Sequence, residues 1–327
     1  ILRHWTFHSN AFDLGLHQNV VWNTWRGRWF EYTTMIDEVP GLRNHLGDHV
    51  NLLLLPISWL YFLHDGPETL LVVQALAVGS TVVPLYHLAR RRIAWPGPCL
   101  VLAAMLPFHP VIQSATLFDF HLILVAGALL VWLLDFAELE RWWAVALLTV
   151  LLLATQENIA LVVLCTGMLL VLRRQVKPGI CLMVAGGVWF CLCFFVILPT
   201  LNPGHGSNAF GRYRYLGPTW SAVVWNLVTH PGIVRDAFFD PVGWTHLTGV
   251  LVPFACLSLL APIFLLPAAT EAGLNLLSSF PLQRILDYQY PSIEVCAAAV
   301  AAMVGAGTVV AALGKRKPGW AHGCAWL

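Results

Sequence analysis

Long apolar runs constrain this chain more than any other feature of its sequence. A transmembrane helix needs about 20 mostly apolar residues, and a soluble domain carries roughly a quarter charged residues, whereas this chain of 327 residues carries 11%. The runs are Thr69–Leu88, Gly97–Ser114, His121–Phe136, Trp142–Thr155, Asn158–Leu172, Gly179–Leu198, His246–Pro262, Ile263–Leu277 and Pro291–Leu313. The sequence therefore predicts an all-α, polytopic transmembrane helical bundle with about nine spanning helices.

One further apolar run is too short to cross a bilayer. Val50–Leu63 has about 14 residues and contains Pro56, and runs of 10–14 residues are more often re-entrant or interfacial than spanning. Trp59 and Tyr61 are residue types that favour a membrane–water interface. We expect a helix that lies at, or dips into, the outer face.

Basic clusters predict the orientation of the bundle. They are Arg90–Arg92, Arg173-Arg174 with Lys177, and Lys315-Arg316-Lys317. Cytoplasmic loops carry an excess of Lys and Arg, and one alternation of nine helices places all three clusters in the cytoplasm. The chain is thus predicted to be a multi-pass protein of the cell membrane, with extracytoplasmic polar loops and cytoplasmic basic loops.

The same alternation of helices and loops predicts one membrane domain over residues 1–327. Its segments are an outer loop with interfacial helices (1–67), six spanning helices (68–198), an outer loop (199–245), three spanning helices (246–313) and a cytoplasmic tail (314–327). The second outer loop is expected to hold one short helix around Trp220–Thr229. The opening Ile1-Leu2-Arg3-His4-Trp5 reads as the end of a longer segment, so we expect a membrane helix before it.

Several function classes find no support in the sequence. The eight cysteines are scattered without zinc-site spacing, and seven of them lie within apolar runs, which is typical of small core residues. The chain has no suitably placed GxGxxG, Walker A, GxSxG or CxxC motif, which argues against a nucleotide-driven pump, a serine hydrolase and a redox protein. A net charge of +1 without a basic stripe argues against nucleic acid as a partner.

Ionisable residues other than the Arg and Lys anchors collect on one predicted side. They are Asp13, His17, Glu31, His45, Asp48, His49, His109, Asp119, His121, Glu157, His205, Arg212, Arg214, Asp287 and Tyr288. Such groups are costly near membrane depth and are therefore functional candidates. Each one alone is also compatible with a hydrated loop, whereas the set predicts an outward-facing polar cavity.

Two acidic positions in the first outer loop have two interpretations each. Asp13 is either a general base near the bilayer surface or the N-cap of a helix that begins at Leu14, since Asp is a favoured cap. Asp48 with His49 forms either a proton relay or metal-ligand pair, or the cap of the Val50–Leu63 helix.

Two further positions mark the outer ends of later helices. Asp119 and His121 begin one predicted helix while His109 ends its neighbour, so these residues are either a ligand set or loop residues. Glu157 interrupts apolar sequence between Trp142 and Leu172. It either turns a hairpin or points into the cavity, and the absence of Gly or Pro at the turn favours the cavity.

These residues recur in a pattern that resembles a predicted membrane-protein family, domain of unknown function 2079. The matching blocks are Phe12-Asp13-Leu14-Gly15 with Gln18, Trp22 and Gly27; Gly47-Asp48-His49 with Pro56; Thr69–Arg91 with Gln74, Pro84, Leu85 and Tyr86; Phe118-Asp119-Phe120-His121; Glu157; Tyr215-Leu216-Gly217; Asn275-Leu276-Leu277-Ser278; and Tyr288-Gln289-Tyr290-Pro291. The resemblance covers most of the chain, and the order of the blocks is more specific than any single one.

Members of this family look like the GT-C superfamily of membrane glycosyltransferases, which implies a GT-C-like bundle with an extracytoplasmic site and a polyprenyl-phosphate sugar donor. By position, Asp13 would be the base. The family often continues the fourth block as His-Pro-Glu, whereas this chain has His121-Leu122-Ile123, so a second carboxylate is absent.

The resemblance implies roles for other polar residues. Substrate and donor contacts would come from Gln18, Asp48, His49, Asp119, His121, Glu157, Arg212, Arg214, Tyr288 and Tyr290. Arg212, Arg214 or Arg284 would hold the departing phosphate. A divalent metal ion is not required, but Asp13, Asp48, His49, Asp119 and His121 would be its ligands.

Two other function classes stay open. In a transporter we would expect charged or broken helices at mid-membrane. The central parts of most apolar runs here contain no charged residue. A non-catalytic membrane subunit, held by protein partners in a larger complex, would explain the missing carboxylate after His121. Convergence of Asp13, Asp48, His49, Asp119 and Glu157 on one cavity would favour an enzyme over a scaffold.

Overall fold

The computed structural model describes residues 1–9, 12–33, 44–202 and 208–316. Within these ranges the chain is helical, and its β pairing amounts to an isolated antiparallel bridge between Glu31 and Asn44. The all-α prediction is confirmed. His205, Lys317, Cys324 and most of the predicted tail lie outside the described residues.

Nineteen α-helices follow one another in the described part of the chain. They are α1 Leu2–Trp5, α2 Asp13–Trp25, α3 Leu54–Ser58, α4 Pro67–Ser80, α5 Val82–Arg90, α6 Pro96–Ala104, α7 Pro110–Phe118, α8 Leu122–Glu138, α9 Trp142–Leu153, α10 Ile159–Leu172, α11 Val176–Leu192, α12 Leu198–Leu201, α13 Asn208–Gly211, α14 Trp220–Thr229, α15 Pro231–Phe239, α16 Pro241–Leu251, α17 Ala269–Leu276, α18 Pro281–Arg284 and α19 Ser292–Arg316. Short 3-10 segments cover His45–Gly47, Trp59–Phe62, Arg214–Leu216, Val252–Phe254, Leu257–Leu260 and Pro262–Ala268, and a π-helical segment covers Cys193–Ile197.

Among the described residues, three continuous helical stretches are long and apolar enough to cross a membrane. They are Pro67–Arg90, Val176–Leu201 and Ser292–Gly314, with 24, 26 and 23 residues. At 1.5 Å per residue they are about 35–39 Å long, which exceeds the roughly 30 Å of a hydrocarbon core. Three of the predicted spans therefore form helices that are long and apolar enough to cross a membrane.

The prediction of nine spans was wrong in number, because the other six runs do not form single long helices. Gly97–Ser114 divides into α6, which ends at Ala104, and α7, which begins at Pro110, a residue suited to the first position of a helix. Further along, α16 ends at Leu251, and Ala255 and Cys256 adopt positive φ angles of 51° and 55°. Short 3-10 segments of four and seven residues follow, so hydropathy alone overestimates the continuity of α-helix there.

The remaining three apolar runs form helices shorter than a full span. They are α8, α9 and α10, with 17, 12 and 14 residues. Most side chains of α8 are buried, so its apolar residues pack against protein. An apolar run thus marks either lipid contact or the protein interior, and the sequence does not distinguish the two.

The alanine-rich helix α19 lies at the centre of the main apolar core. Ala297, Ala298, Ala299, Ala301 and Ala302 are at most 1% exposed. The helix packs on α5, α8 and the 3-10 segments around Leu257–Leu260 and Pro262–Ala268. Small side chains allow this close approach of helix backbones.

Two of the predicted basic clusters meet at one end of the bundle. Glu138 pairs with Arg173 at 3.2 Å and with Arg91 at 3.3 Å, and it also binds Arg92. Arg91 also binds Asp135. These contacts place Arg90–Arg92 and Arg173 together, as one cytoplasmic face requires.

The opposite end of α8 carries a different set of residues. The helix begins directly after His121 and ends at Glu138, so the two positions lie about 25 Å apart. The candidate residues near His121 and the basic cluster near Glu138 therefore occupy opposite ends of the bundle. Which end faces the cytoplasm stays a prediction.

The short run Val50–Leu63 forms α3 and the 3-10 segment Trp59–Phe62. Its backbone is fixed by a hydrogen bond from Leu53 N to Ala154 O of 2.7 Å. Trp59 and Phe62 remain 64% and 79% exposed. The segment is too short to cross a bilayer, and its placement at the membrane surface remains a prediction.

Helices α10 and α11 approach each other through glycines. A Cβ added at Gly179 would lie 2.7 Å from the carbonyl oxygen of Gly167, and one added at Gly167 would lie 2.6 Å from that of Gly179. Such distances are shorter than van der Waals contact and would involve rigid backbone. Gly187, also on α11, would have no atom within 4 Å of an added Cβ.

We expect Gly179→Ala to lower the free energy of unfolding by about 1–3 kcal/mol, since overpacking forces the helices apart. Gly187→Ala is the matched control on the same helix and should raise stability by about 0.5–1 kcal/mol. Thermal unfolding in detergent micelles measures both. Equal effects of the two substitutions would contradict close contact between α10 and α11.

Candidate functional site

A buried glutamine holds the turn before α8. Gln74 of α4 is 1% exposed. Its Nε2 donates to Asp119 O at 2.8 Å, and its Oε1 accepts from His121 N at 2.7 Å. The two bonds satisfy backbone groups that the turn would otherwise leave unpaired, and they fix the orientation of His121.

His121 faces Asp13, the first residue of α2. His121 Nε2 lies 3.5 Å from Asp13 Oδ2, which is longer than a typical hydrogen bond. His121 is 6% exposed; within the described residues its Nδ1 has no hydrogen-bond partner, and its Nε2 has only the long contact with Asp13. Buried polar atoms are nearly always bonded, so this imidazole retains capacity for a ligand.

The environment of Asp13 favours its charged form. Burial raises the pKa of Asp13, but the imidazoles of His121 and His17 outweigh this effect, so the pKa is below its usual value. The side chain is 31% exposed. Asp13 is therefore an accessible carboxylate that is ionised at neutral pH. It lies inside α2, not before a helix beginning at Leu14.

Three histidines lead from Asp13 towards Glu157. His17 Nδ1 donates to Asp13 O at 2.8 Å. The ring of His45 lies 5.8 Å from that of His17 and 6.3 Å from that of His49. Withdrawal from water lowers the pKa of His17 to about 3 and that of His45 to about 4, so both imidazoles are neutral at neutral pH.

Asn51 fixes the tautomer of His45. Asn51 Nδ2 donates to Thr155 O, so its Oδ1 faces His45 Nε2 at 2.7 Å, and that nitrogen must carry the proton. His45 Nδ1 is then an acceptor. It is buried and has no hydrogen-bond partner within the described ranges, as is the case for His121.

His49 and Glu157 form an ion pair that joins two distant segments. His49 Nδ1 donates to Glu157 Oε1 at 2.9 Å, and Val50 N donates to Glu157 Oε2 at 3.0 Å. Withdrawal from water lowers the pKa of His49, but Glu157 and Asp48 outweigh it and raise the pKa to about 9. The pair is therefore charged at neutral pH, and Glu157 does not merely turn a hairpin.

Arg212 brings a cation to the polar cluster formed by Asp13, His17, His45, His49, His121 and Glu157. Its Nη1 donates to Gln283 Oε1 at 2.7 Å, and its guanidinium carbon lies 4.8 Å from the ring centre of Phe280 and 5.8 Å from that of Tyr290. Burial raises the pKa of Tyr290, Arg212 opposes this shift, and Asp13 adds to it. Tyr290 therefore lies within electrostatic reach of both charged groups.

A series of hydrogen-bonded amide side chains orients Arg212. Glu294 Oε1 accepts from Asn275 Nδ2 at 2.7 Å, so Asn275 Oδ1 faces Gln283 Nε2 at 3.2 Å. Gln283 then presents its Oε1 to Arg212. Each amide orientation is set by the preceding one, and the carboxylate of Glu294 determines the direction of the whole chain.

Other predicted contacts are placed elsewhere or have other partners. Gln18 Oε1 accepts from the Tyr61 hydroxyl and joins α2 to the 3-10 segment Trp59–Phe62. Arg284 pairs with Asp240 at 2.6 Å. Arg214 is exposed, and the structure does not bring it to the cluster. Only Arg212 among these three arginines faces the cluster.

Tyr288 reaches the cluster through aromatic packing. Its ring lies 5.2 Å from that of Phe118, which stacks on His121 at 5.8 Å with an interplanar angle of 13°.

For the metal hypothesis, no group of three or more His, Cys, Asp or Glu side chains suited to a metal ion occurs in the described part of the chain.

Sequence reasoning missed the amides that orient the charged residues. Gln74, Asn51, Asn275 and Gln283 are each at most 6% exposed. The available signal was their position, since Gln74 and Asn275 interrupt apolar runs where an unpaired amide would be costly. Their partners lie far away in sequence and could not be read from spacing.

The matching family model covers residues 3–326 and is described as a predicted membrane protein, DUF2079. The chain belongs to this family. No curated protein and no solved structure matches it. The DUF2079 assignment supports a membrane protein with the helices described above and leaves its chemistry to be inferred from the site.

The His49–Glu157 pair predicts a pH dependence of stability. Because the pKa of His49 is raised from 6.5 to about 9, its contribution is complete below pH 6.5 and is lost as pH rises through 9. The unfolding midpoint should fall across this range, and His49→Gln should flatten the decline. His230→Gln, at an exposed position outside the cluster, should leave it unchanged. An unaltered slope in His49→Gln would contradict the pair.

Gln74→Ala tests the turn before α8. Removing both bonds leaves buried backbone groups unsatisfied and should lower the free energy of unfolding by about 1–3 kcal/mol for each group. Gln113→Ala, at an exposed position on α7, should change it by less than about 0.5 kcal/mol. Chemical unfolding in micelles measures both variants. Equal losses of unfolding free energy would contradict a stabilising role of the two Gln74 hydrogen bonds.

Proposed function

We propose that this DUF2079 protein is an integral membrane glycosyltransferase of the GT-C type. It transfers a sugar from a polyprenyl-phosphate donor to an acceptor hydroxyl at the extracytoplasmic face. The observation that carries the proposal is an ionised, accessible Asp13 facing a buried His121 whose Nδ1 has no partner in the described residues. The GT-C resemblance supplies the reaction class.

In the proposed reaction the acceptor oxygen attacks the anomeric carbon of the donor sugar. A new C–O bond forms as the bond between that carbon and the phosphate oxygen breaks, and the bonding electrons leave with the polyprenyl phosphate. Asp13 accepts the acceptor hydroxyl proton. General base assistance contributes roughly 10²–10⁴-fold to such a step, and an Asp with a lowered pKa is in the correct ionisation state for it.

Arg212 is the proposed partner of the donor phosphate. A guanidinium presents several donors that match phosphate oxygens. One edge of Arg212 is held by Gln283, while Phe280 packs near its face. This fixation lowers the entropy that the side chain loses when it binds phosphate. Departing negative charge would then be stabilised close to Asp13.

An apolar cavity is a candidate site for the donor tail. Its volume is about 450 Å³. It is lined by Leu172, Leu247, Val250, Leu251, Pro262, Ile263, Leu265, Leu266, Ala268, Ala269, Ala272 and Glu294. Since Glu294 is also the first member of the amide chain to Arg212, the tail cavity and the phosphate partner share one hydrogen-bonded network.

The remaining charged residues have supporting roles in this proposal. His49 is held by Glu157 and Asp48, and His121 packs on Phe118. These imidazoles are placed to bind sugar hydroxyls, and Tyr288 borders the same turn. The proposal needs no metal ion.

A transporter is the second candidate, favoured by buried carboxylates inside the bundle. Glu271 is 2% exposed and accepts two hydrogen bonds from Asn158 of 2.9 and 3.0 Å. Glu294 contacts His246 at 2.8 Å. Internal ionisable groups of this kind occur in proton relays. A transporter would move solute between vesicle compartments without forming a glycosidic bond.

Asp13→Asn tests the proposed base. In proteoliposomes supplied with polyprenyl-phosphate-linked radiolabelled hexoses and pentoses and a panel of acceptors, transfer should fall about 10²–10⁴-fold. Asp65→Asn is the matched control, since this exposed carboxylate pairs with Arg26 away from the cluster. Undiminished transfer by Asp13→Asn would remove its catalytic role, and solute movement without transfer would favour the transporter.

A further inference from the structure

Helix α14 in the second outer loop carries an exposed apolar face. Trp220, Val224, Trp225 and Val228 are 39%, 59%, 68% and 70% exposed. Positions i, i+4, i+5 and i+8 lie on one side of an α-helix. The helix contains no charged residue, although helices that face water on one side usually carry charges there.

The opposite face of α14 is firmly packed. Val223 is 4% exposed and joins Tyr213, Leu216 and Leu277 in a small apolar cluster. Asn226 Nδ2 donates to Leu216 O at 2.7 Å. The exposed face is therefore a fixed surface and not the outside of a loosely attached helix.

The level of α14 relative to the bundle identifies what covers this face. The ring of Trp220 lies 6.4 Å from that of Phe194, which belongs to the 26-residue stretch Val176–Leu201. Phe194 lies about 10 Å from the end of that stretch. A helix of about 39 Å centred in a hydrocarbon core of roughly 30 Å extends only about 5 Å beyond each side, so Phe194 lies inside the hydrocarbon edge.

We propose that α14 is embedded in the outer membrane leaflet, with its exposed face against lipid. Val224 and Val228 would contact lipid hydrocarbon. The indole rings of Trp220 and Trp225 would lie near the membrane–water interface, a position that tryptophan favours. Because α14 has no basic residue, the association arises from apolar burial and requires no anionic headgroup.

This placement differs from that of a hydrated outer loop. Through Leu216 and Tyr213, α14 holds the segment that carries Arg212. Embedding α14 would therefore fix Arg212 at the membrane surface. The inference concerns position alone and does not depend on the reaction that the site performs.

Collision accessibility of single nitroxide labels tests the proposal. The eight native cysteines are replaced by alanine, and Cys is introduced singly at Val224, Val228, Val223 or Arg235. The protein is reconstituted in phosphatidylcholine vesicles, with oxygen as the lipid-soluble reagent and a nickel chelate as the aqueous one. Arg235 is the aqueous control because its side chain is 72% exposed, and Val223 is the buried control.

Labels at 224 and 228 should collide with oxygen several-fold more often, relative to the nickel chelate, than the label at 235. High nickel accessibility at 224 and 228 would overturn the proposal, since that face would be hydrated. Low accessibility to both reagents, as at 223, would also overturn it, because protein would then cover the face. An unchanged result in vesicles with added anionic lipid would support apolar burial over charge attraction.

Discussion

An ionised carboxylate cannot stay in an apolar bundle unless cations or hydrogen-bond donors surround it, because desolvation of the charge is too costly. Glu157 meets this condition with His49 and the backbone N–H of Val50. Glu138 meets it with Arg92 and Arg173 at the other end of the bundle. Each carboxylate thereby joins segments that are far apart in sequence, and the helices are positioned between these polar ends.

The same constraint explains how the site is preorganised. Polar side chains near the helix ends cannot reorient freely, because most have a partner whose own orientation is fixed. Gln74 sets the turn of His121, Asn51 sets the tautomer of His45, and Gln283 presents an oxygen to Arg212. Nδ1 of His121 and Nδ1 of His45 are among the buried polar atoms of the described residues that lack a partner, and a ligand is one explanation of such atoms.

The sequence predicted the helical class and the membrane character, and three of its about nine predicted spans form long apolar helices, because these features depend on local composition. It did not predict where long runs are broken. Pro110 starts a new helix, and Ala255 and Cys256 adopt left-handed backbone conformations that no pattern of hydropathy encodes. For the site, the pattern of charged residues in the sequence identified Asp13, His49, His121 and Glu157 as candidates. The orienting amides depend on contacts between distant segments, as between Gln283 and Arg212, so they required a structure.

The centre of the bundle is made late. Helix α19 follows in sequence the described elements it packs against most extensively, including α5, α8 and the 3-10 segments before it. During synthesis these earlier elements enter the membrane while the groove for α19 is still empty. We therefore expect the core around α19 to be completed only after the alanine-rich helix has been synthesised. A substitution that enlarges a side chain of α19 would then lower assembly yield before it affects the polar cluster around Asp13 and His121.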